Sequence, residues 1–366
     1  MAVAANEDQL LRAAQRGDEQ AFRALVEPYR GELHAHCYRM LGSLHDAEDA
    51  LQDAMLRAWR GLPRAQGISS LRAWLYKIAT NASLDVIGKR PKRTLPVEYG
   101  PSTDPDDGPG QPLVESVWIE PYPDETLAVE DGYAAPEARF ERREGVELAF
   151  IAALQHLPAN QRAVLLMREV LGFSAAESAE TLDTSVPSIN SALQRARKTV
   201  DEKLPAQSQQ ATLRTIGDAR LKEIVEDYIE ALDNCDVDRV VTMLAEDVAW
   251  SMPPLASWFH GADVPEFLAR YPLSGEWRWR RLASHANGQP AVAAYTWDED
   301  ANAFLPFALD VLTFEGDKIK EVTAFITRTL ELPERDDFVR WPEKAQDPVR
   351  VVSVFERFGL PASLPA

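Results

Sequence analysis

Few side chains in this sequence have the type and spacing for covalent or metal chemistry. His34 and His36 stand two apart in a stretch of helical periodicity, so they point to different faces and make a poor ligand pair. Cys37 and Cys235 lie about 200 positions apart, which excludes a disulfide framework and a four-cysteine zinc site. No triad, glycine-rich phosphate loop or metal-ligand spacing accompanies them, and neither metal nor cofactor is expected. What recurs instead is short polar groups and cations at helical spacing. The unit AAESAETLDTSVPSINSALQ reads as a short helix, a tight polar turn and a second helix beginning near Val186 and Pro187. On that second helix Ser188, Asn190, Ser191 and Gln194 are groove-sized hydrogen-bonders, and Arg195, Arg197 and Lys198 are candidate phosphate contacts. The competing reading is an ordinary helical hairpin with a polar face.

A second stretch, SLRAWLYKIATN, sets Trp74 and Tyr76 among Arg72, Lys77 and Asn81 and runs into the basic cluster Lys89, Arg90, Lys92, Arg93. Aromatics interleaved with cations suit unpaired bases, through stacking and backbone neutralisation. For Trp74 alone, a place in a core stripe with Leu75 and Ile78 is the better reading. Residues 46–59 expose Asp49, Gln52 and Asp53 on one helical face, either a solvated face or an acidic docking surface for a basic helix.

The elements that must position these groups fall into blocks. Residues 6–90 read as helices, with Asn6, Asp18 and Asp46 as N-caps and Gly42 as a stop. Residues 96–136 are rich in Pro, Gly and Asp, a flexible acidic linker in which SVWIEPYP places Trp118, Ile119 and Tyr122 among prolines. Helical signals return over 137–205, with Phe140 in the first of them. The block 206–330 opens with a helix and then alternates with period two, with turn signals at Asn287-Gly288 and Gly316-Asp317, which predicts an α+β domain with an antiparallel sheet. A Pro-punctuated tail, 331–366, either covers a pocket or continues the sheet.

The whole chain has 366 residues and a net charge of −19, unevenly spread. Residues 2–95 are net +3, 96–139 net −10, 140–205 net −1 and 206–330 net −9, so the overall acidity does not exclude nucleic-acid binding by the first half. No apolar run approaches the roughly 18–20 residues of a membrane span, and the N-terminus lacks the pattern of a signal peptide. A cytoplasmic protein without membrane attachment is expected.

DAEDALQDAMLRAW (46–59) followed by LRAWLYKIATNASLD (71–85) resembles domain two of an extracytoplasmic-function (ECF) sigma factor, and LPANQRAVLLMREVLGFSAAESAETLDTSVPSINSALQRARK resembles the matching domain four. The block after 206, with WSMPPLASWFHG at 250–261, is similar to the SnoaL-like cone, a bent sheet closed by helices. With the linker motif VWIEP this points to the ECF subgroup carrying a fused SnoaL-like extension. The implied architecture is two all-α domains, the second with a helix-turn-helix, plus an α+β cone with a bent antiparallel sheet.

The resemblance implies that Asp46, Asp49, Gln52, Asp53 and Arg57 meet core RNA polymerase, whose clamp helices and flap are the expected partners. It implies that Arg72, Trp74, Lys77, Asn81, Lys89 and Arg90 serve the −10 element, where a flipped base is held. Val186, Ser188, Asn190, Ser191, Gln194, Arg195, Arg197 and Lys198 would read the −35 element. Asn190 and Ala192 stand where many relatives carry Lys and Arg, and the linker is longer and more acidic than usual. The extension is expected to act as an intramolecular regulator in place of a separate anti-sigma protein. Its pocket would draw on Trp250, Met252, Trp258, His260, Tyr295, Trp297, Phe307 and Asp310. A packed core with at most a ligand cavity is preferred there. The alternative, a DNA-binding regulator tethered to a catalytic cone, needs paired polar groups converging on one apolar cavity. A repressor acting without polymerase leaves 46–59 unexplained.

Overall fold

A computed structural model describes residues 2–65, 70–110, 117–125, 145–327 and 354–366. Phe140 and the linker positions 111–116 and 126–136 lie outside the described residues, as does the tail from 331 to 353. The chain divides into two compact units, one of residues 1–92 with 126–204 and one of residues 93–125 with 205–366.

The first unit is helical. Helices α1 (Ala2–Gln15), α2 (Glu19–Val26), α3 (Arg30–Leu41), α4 (Leu44–Gly61) and α5 (Leu71–Ile87) follow in order. Asp18 caps α2 by accepting from the Ala21 N–H at 3.0 Å, and Gly42 closes α3 with φ 68°. Two other expected caps shift. Helix α1 starts before Asn6, and Ser43, not Asp46, caps α4, its hydroxyl accepting from the Asp46 N–H at 3.1 Å. The segment 19–41 is broken at Glu27–Tyr29, a 3-10 turn with Pro28 near its start, because proline cannot donate in a helix interior.

Helix α3 is the centre of this unit: Leu33, Ala35, Cys37, Tyr38, Met40 and Leu41 are buried, and so are His34, His36 and Arg39. His36 shares a 2.9 Å hydrogen bond with the Thr80 hydroxyl and lies edge-on to Tyr76. Burial first, then Arg39 and Arg72, pulls its pKa down to about 3, so it packs as a neutral ring. Burial pushes the Cys37 thiol up to about 12, which makes it an inert core residue.

After α5 the same unit resumes with helices Leu148–Gln155, Ala159–Leu165, Ala175–Thr181 and Val186–Asp201, with a π-helical turn at Leu166–Val170. Two buried arginines hold these helices to α3. Arg39 donates to the Gly145 carbonyl at 2.9 Å. Arg162 donates to the Met40 carbonyl, to Gln155 Oε1 at 2.6 Å and to the carbonyls of Gln155 and Leu157.

The second unit carries helices Gln209–Ile216, Asp218–Asp233, Val237–Met243 and Asp263–Arg270 and one six-stranded sheet. Its strands are β1 (Leu244–Ser251), β2 (Trp258–His260), β3 (Trp279–Ala286), β4 (Gln289–Asp298), β5 (Ala303–Glu315) and β6 (Lys318–Ile326), in the spatial order β2-β1-β6-β5-β4-β3. Four neighbouring pairs are antiparallel, but β1 runs parallel to β6. The sheet is therefore mixed, where pure alternation predicted an antiparallel one. Strand β2 and helix Asp263–Arg270 separate β1 from the later hairpins, and the last strand, β6, returns beside β1. The turn at Asn287 (φ 57°) and Gly288 (φ 69°) joins β3 to β4, as the Asn-Gly pair predicts.

The expectation of a flexible linker is corrected for its described part. Thr94 donates its N–H to Val117 and accepts from the Ile119 N–H, so the two ends of 94–119 close on each other. Trp118, Ile119 and Tyr122 are buried. The Tyr122 N–H donates to Asn287 Oδ1 at 2.8 Å, the Asn287 N–H returns to the Tyr122 carbonyl at 2.8 Å, and Asp124 accepts from the Gly288 N–H. Further along, the Trp258 indole donates to the Gly100 carbonyl at 2.9 Å and the Thr103 N–H donates to the Trp258 carbonyl at 2.7 Å. The acidic, proline-rich composition that reads as solvated chain thus belongs to a segment docked on the sheet. In the tail, Leu364 exchanges two backbone hydrogen bonds with Phe304, on the part of β5 that runs past the end of β6.

Candidate nucleic-acid interface and sheet cavity

The helix-turn-helix is locally determined. Ser174 and Glu177 form a reciprocal capping box at the start of Ala175–Thr181. Asp183 takes a positive φ of 49° in the turn, and Ser185 caps the second helix with Pro187 in its first turn. On that helix Ile189, Leu193, Ala196 and Val200 are buried, a stripe at helical spacing. Val186, Ser188, Asn190, Ser191, Gln194, Arg195, Arg197 and Lys198 are all exposed. Arg197 is paired with Glu169 at 2.5 Å, and Lys198 stands 3.9 Å from Glu202.

On α5 the expected groups divide. Leu75 is buried, Trp74 and Ile78 are half-buried and Asn81 is exposed, as are Lys89 and Arg90 just past the end of the helix. Arg72 and Lys77 are both engaged inside this unit. The Arg72 guanidinium meets Glu32 at 3.2 Å through two nitrogens, reaches the Leu171 carbonyl at 3.4 Å and lies over the Tyr76 and Phe173 rings. Lys77 donates to Asp183 at 2.7 Å and to the Glu180 carbonyl at 3.1 Å.

Helix α4 buries Ala47, Ala50, Leu51, Ala54 and Ala58 and turns Asp49, Gln52 and Arg57 outward. Asp53 is half-buried, and Arg57 pairs with it at 2.6 Å and with Asp85 at 2.8 Å. Asp46 is buried and pairs with Arg90 at 2.6 Å. That pair joins two groups assigned to different partners. Leu56, 47% exposed among these polar side chains, is a large apolar group that periodicity had not singled out.

In the sheet unit, Trp250, Met252, Phe307 and Asp310 line one cavity. Trp258, His260, Tyr295 and Trp297 do not. Trp258 holds Gly100, His260 is exposed at the end of β2, and Trp297 packs on Phe304 under Arg278. Tyr295 donates to the Pro361 carbonyl at 2.9 Å and packs edge-on to Phe355. It sits one residue from Ala294 on β4, and neighbours along a strand face opposite sides. The cavity walls that sequence reading missed include Trp277, Trp279 and Arg281 on or beside β3 and Pro109 from the docked segment. Burial raises the Asp310 carboxyl to about 7 against the opposing pull of Arg281. Arg281 itself pairs with Asp233 at 2.8 Å.

Comparisons with known proteins bear on each unit. Family profiles match as Sigma-70 region 2 over residues 25–93, Sigma-70 region 4 over 147–200 and a SnoaL-like domain over 225–322. The chain is 42% identical over 318 residues to the ECF RNA polymerase sigma factor SigG of Mycobacterium tuberculosis, covering 86% of this chain and 83% of that one. The chain belongs to the ECF sigma factors.

The ECF sigma-E factor of Escherichia coli is 28% identical over 198 residues, 53% of this chain and 92% of its own. Among solved structures, the crystal structure of the Mycobacterium tuberculosis ECF sigma factor SigJ aligns with a TM-score of 0.50 at 21% identity, covering 83% of this chain and 95% of that one, a likeness of fold. In this sigma factor, region 2 contains α3–α5 and region 4 ends in the helix-turn-helix. Among the described residues no helix is long and apolar enough to cross a membrane, and no cluster of His, Cys, Asp and Glu is arranged to hold a metal.

Proposed function

We propose that this ECF sigma factor joins core RNA polymerase and directs initiation at promoters with −10 and −35 elements, in the cytoplasm and without chemistry of its own. In this reading Asp49, Gln52, Asp53, Arg57 and the apolar Leu56 form the polymerase-facing side of α4, with Asp46 and its partner Arg90 bracing the helix start. Arg72, Trp74, Lys77, Asn81, Lys89 and Arg90 serve the −10 element. Val186, Ser188, Asn190, Ser191, Gln194, Arg195, Arg197 and Lys198 serve the −35 element.

The observation that carries the reading is the recognition helix: every one of its eight nominated residues is exposed while its apolar stripe is buried. A helix built that way offers hydrogen-bonders and cations to a groove at no cost in core packing. The Lys77–Asp183 and Arg72–Leu171 contacts support a closed form of the helical unit, in which groups meant for DNA are spent internally. Opening region 2 from region 4 would release them. The sheet unit acts as the regulator. Its net charge and that of the docked segment repel phosphates, which lowers the affinity of the unassembled factor for DNA.

The test is transcription in vitro on fragmented genomic DNA with purified core polymerase, reading transcript starts by sequencing. A shared −10/−35 pattern upstream of starts that require the protein supports the reading. Absence of any protein-dependent start, with no binding to core polymerase, would remove it.

A further inference from the structure

The sheet has an open edge where β5 outruns β6. The last residue pair between them is Ala308 with Ile326, so 303–307 extends beyond the partner strand. A bare strand edge presents unpaired N–H and C=O groups, a template for an extended peptide. Here Leu364 fills it, its N–H and carbonyl both bonding Phe304, each at 2.9 Å. Leu364 is remote from β6 along the chain, since 327–353 stand between Ile326 and the described segment 354–366.

That segment has the make-up of a self-contained ligand. Phe355, Phe358 and Leu360 are buried, while Glu356, Arg357 and Pro361 are exposed. The Leu360 N–H returns to the Phe355 carbonyl at 3.1 Å and the Gly359 N–H to the Glu356 carbonyl at 3.0 Å, with Gly359 at φ 67°. This is a Schellman turn, and its bonds all lie within 355–360. Its seat is the face of β4 turned away from the cavity. Phe355 packs edge-on to Tyr295 with ring centroids 5.2 Å apart, and the Tyr295 hydroxyl donates to the Pro361 carbonyl at 2.9 Å.

The same turn meets the interdomain segment. A Cβ on Gly359 would stand 2.6 Å from Glu125 Oε1. Just before Glu125, Tyr122 and Asp124 bind the β3–β4 tip, and all of these residues share one compact unit with 354–366. The chain that joins Sigma-70 region 2 to region 4 therefore touches the hairpin tip through Tyr122 and Asp124, and the C-terminal turn through Glu125.

We propose that Tyr295 and the open edge of β5 form a peptide-binding site, that residues 354–366 are its resident ligand, and that this ligand holds 117–125 on the sheet. The site takes a peptide with the spacing Phe-x-x-Phe-Gly-Leu-Pro followed by a leucine that pairs with the strand. Main-chain bonds set the register and the two phenylalanines supply the affinity. None of these contacts needs continuity with β6, so the same peptide supplied separately occupies the site once the resident copy is withdrawn. Tethering keeps the resident copy in place, because a ligand joined to its site acts at an effective concentration of up to about millimolar.

The experiment uses the full-length protein with the resident ligand disabled in two independent ways. Phe355→Ala with Phe358→Ala removes the anchors. Gly359→Val puts a β-branched side chain at a positive φ, beside Glu125. Both variants are checked for an unchanged circular dichroism spectrum. The probe is a fluorescein-labelled peptide of residues 354–366. Anisotropy is expected to show saturable binding to both variants and binding about tenfold or more weaker to the unsubstituted protein, where the tethered copy competes. Replacing both phenylalanines of the peptide by alanine should cost about tenfold or more. Hydrogen exchange over 117–125 should quicken several-fold in both variants and slow again with the native peptide, but not with the alanine peptide. Exchange over β1 should stay constant, which separates release of the segment from general loosening.

No saturable binding to either variant at millimolar peptide, or equal binding to variants and unsubstituted protein, overturns the site. Peptide binding with unchanged exchange over 117–125 overturns its hold on the interdomain segment. A dimer of the unsubstituted protein in light scattering, lost when the phenylalanines are replaced, would give the site to the segment of a second copy and overturn the assignment within one chain. None of these readouts involves transcription or the sheet cavity, so they stand or fall apart from the promoter reading.

Discussion

The Lys77 ammonium on α5 lies 2.7 Å from the Asp183 carboxylate in the turn of the helix-turn-helix, so a cation of region 2 is paired with a carboxylate of region 4. Both side chains reach solvent, and an exposed pair of this sort contributes only ~0–1 kcal/mol. Its weight is in competition: a lysine held by a carboxylate is less available to a phosphate.

Asp183→Asn should therefore raise affinity for an unpaired −10 strand. Asparagine tolerates the positive φ of this position, so the turn survives while the charge goes. We expect about a two- to fivefold gain at low salt, matching the small energy of the pair. Fluorescence anisotropy with a labelled single strand measures it. Unchanged or weaker binding would mean that Lys77 takes no part in holding the strand.

On the recognition helix, Arg195→Ala should weaken binding to all duplexes alike and lower the slope of log affinity against log salt by about one. Gln194→Ala should leave that slope alone and alter the preference at one base pair. A titration series over salt, on specific and scrambled duplexes, separates the two. A sequence-dependent effect of Arg195→Ala would reassign it from phosphate to base.

Leu56 sits 47% exposed among Asp49, Gln52 and Asp53 on α4. Leu56→Asp should leave the thermal midpoint nearly unchanged, since little packing is lost, yet reduce affinity for core polymerase about tenfold or more, as expected for an apolar anchor at an interface centre. Competition for core polymerase against the unmodified protein gives the ratio. Wild-type competition by the variant would move the docking surface elsewhere.

Asp310 makes stability depend on pH with a definite sign. Its folded carboxyl is raised to about 7 by burial, so between the ordinary carboxylate range and about 7 the folded chain keeps a proton that the unfolded chain releases. Stability of the sheet unit falls as pH rises through that window and levels above it. Asp310→Asn should remove the fall, stabilising at about pH 8 by at most a few kcal/mol and changing little near about pH 4. Urea midpoints at the two pH values decide. Equal effects at both would mean that Asp310 is ionised in the fold.

Much of this was legible in the sequence because it is local. The cap Asp18, the stop at Gly42, the second helix beginning near Val186 and Pro187 and the Asn287-Gly288 turn are each written within a few positions. What was not legible depends on partners far along the chain. Arg162 reads as a surface cation until the Met40 carbonyl, 122 positions away, is brought beside it. The parallel pairing of β1 with β6 follows from a crossover that no strand pattern encodes. In the cavity, Asp310 and Trp250 were recognisable by type, but Tyr295 was misplaced by face: strand alternation gives two sides without saying which is inward. Trp258 looked like pocket lining and is a clamp for Gly100. The linker was hardest, because proline and aspartate mark chain that cannot pack against itself, and they are silent about packing on something else.

Hairpin tips are usually where a protein accepts insertions, tags and drift, since little depends on them. Asn287 reverses that rule. Its backbone turns the chain from β3 to β4 while its amide oxygen and N–H grip Tyr122. One residue is both corner and latch, so lengthening this tip by a single position would unhook the interdomain segment as well as reshape the hairpin. The side chain and conformation of this tip residue are thereby fixed by main-chain groups more than 160 positions earlier, and a loop of a kind usually free to vary is constrained here.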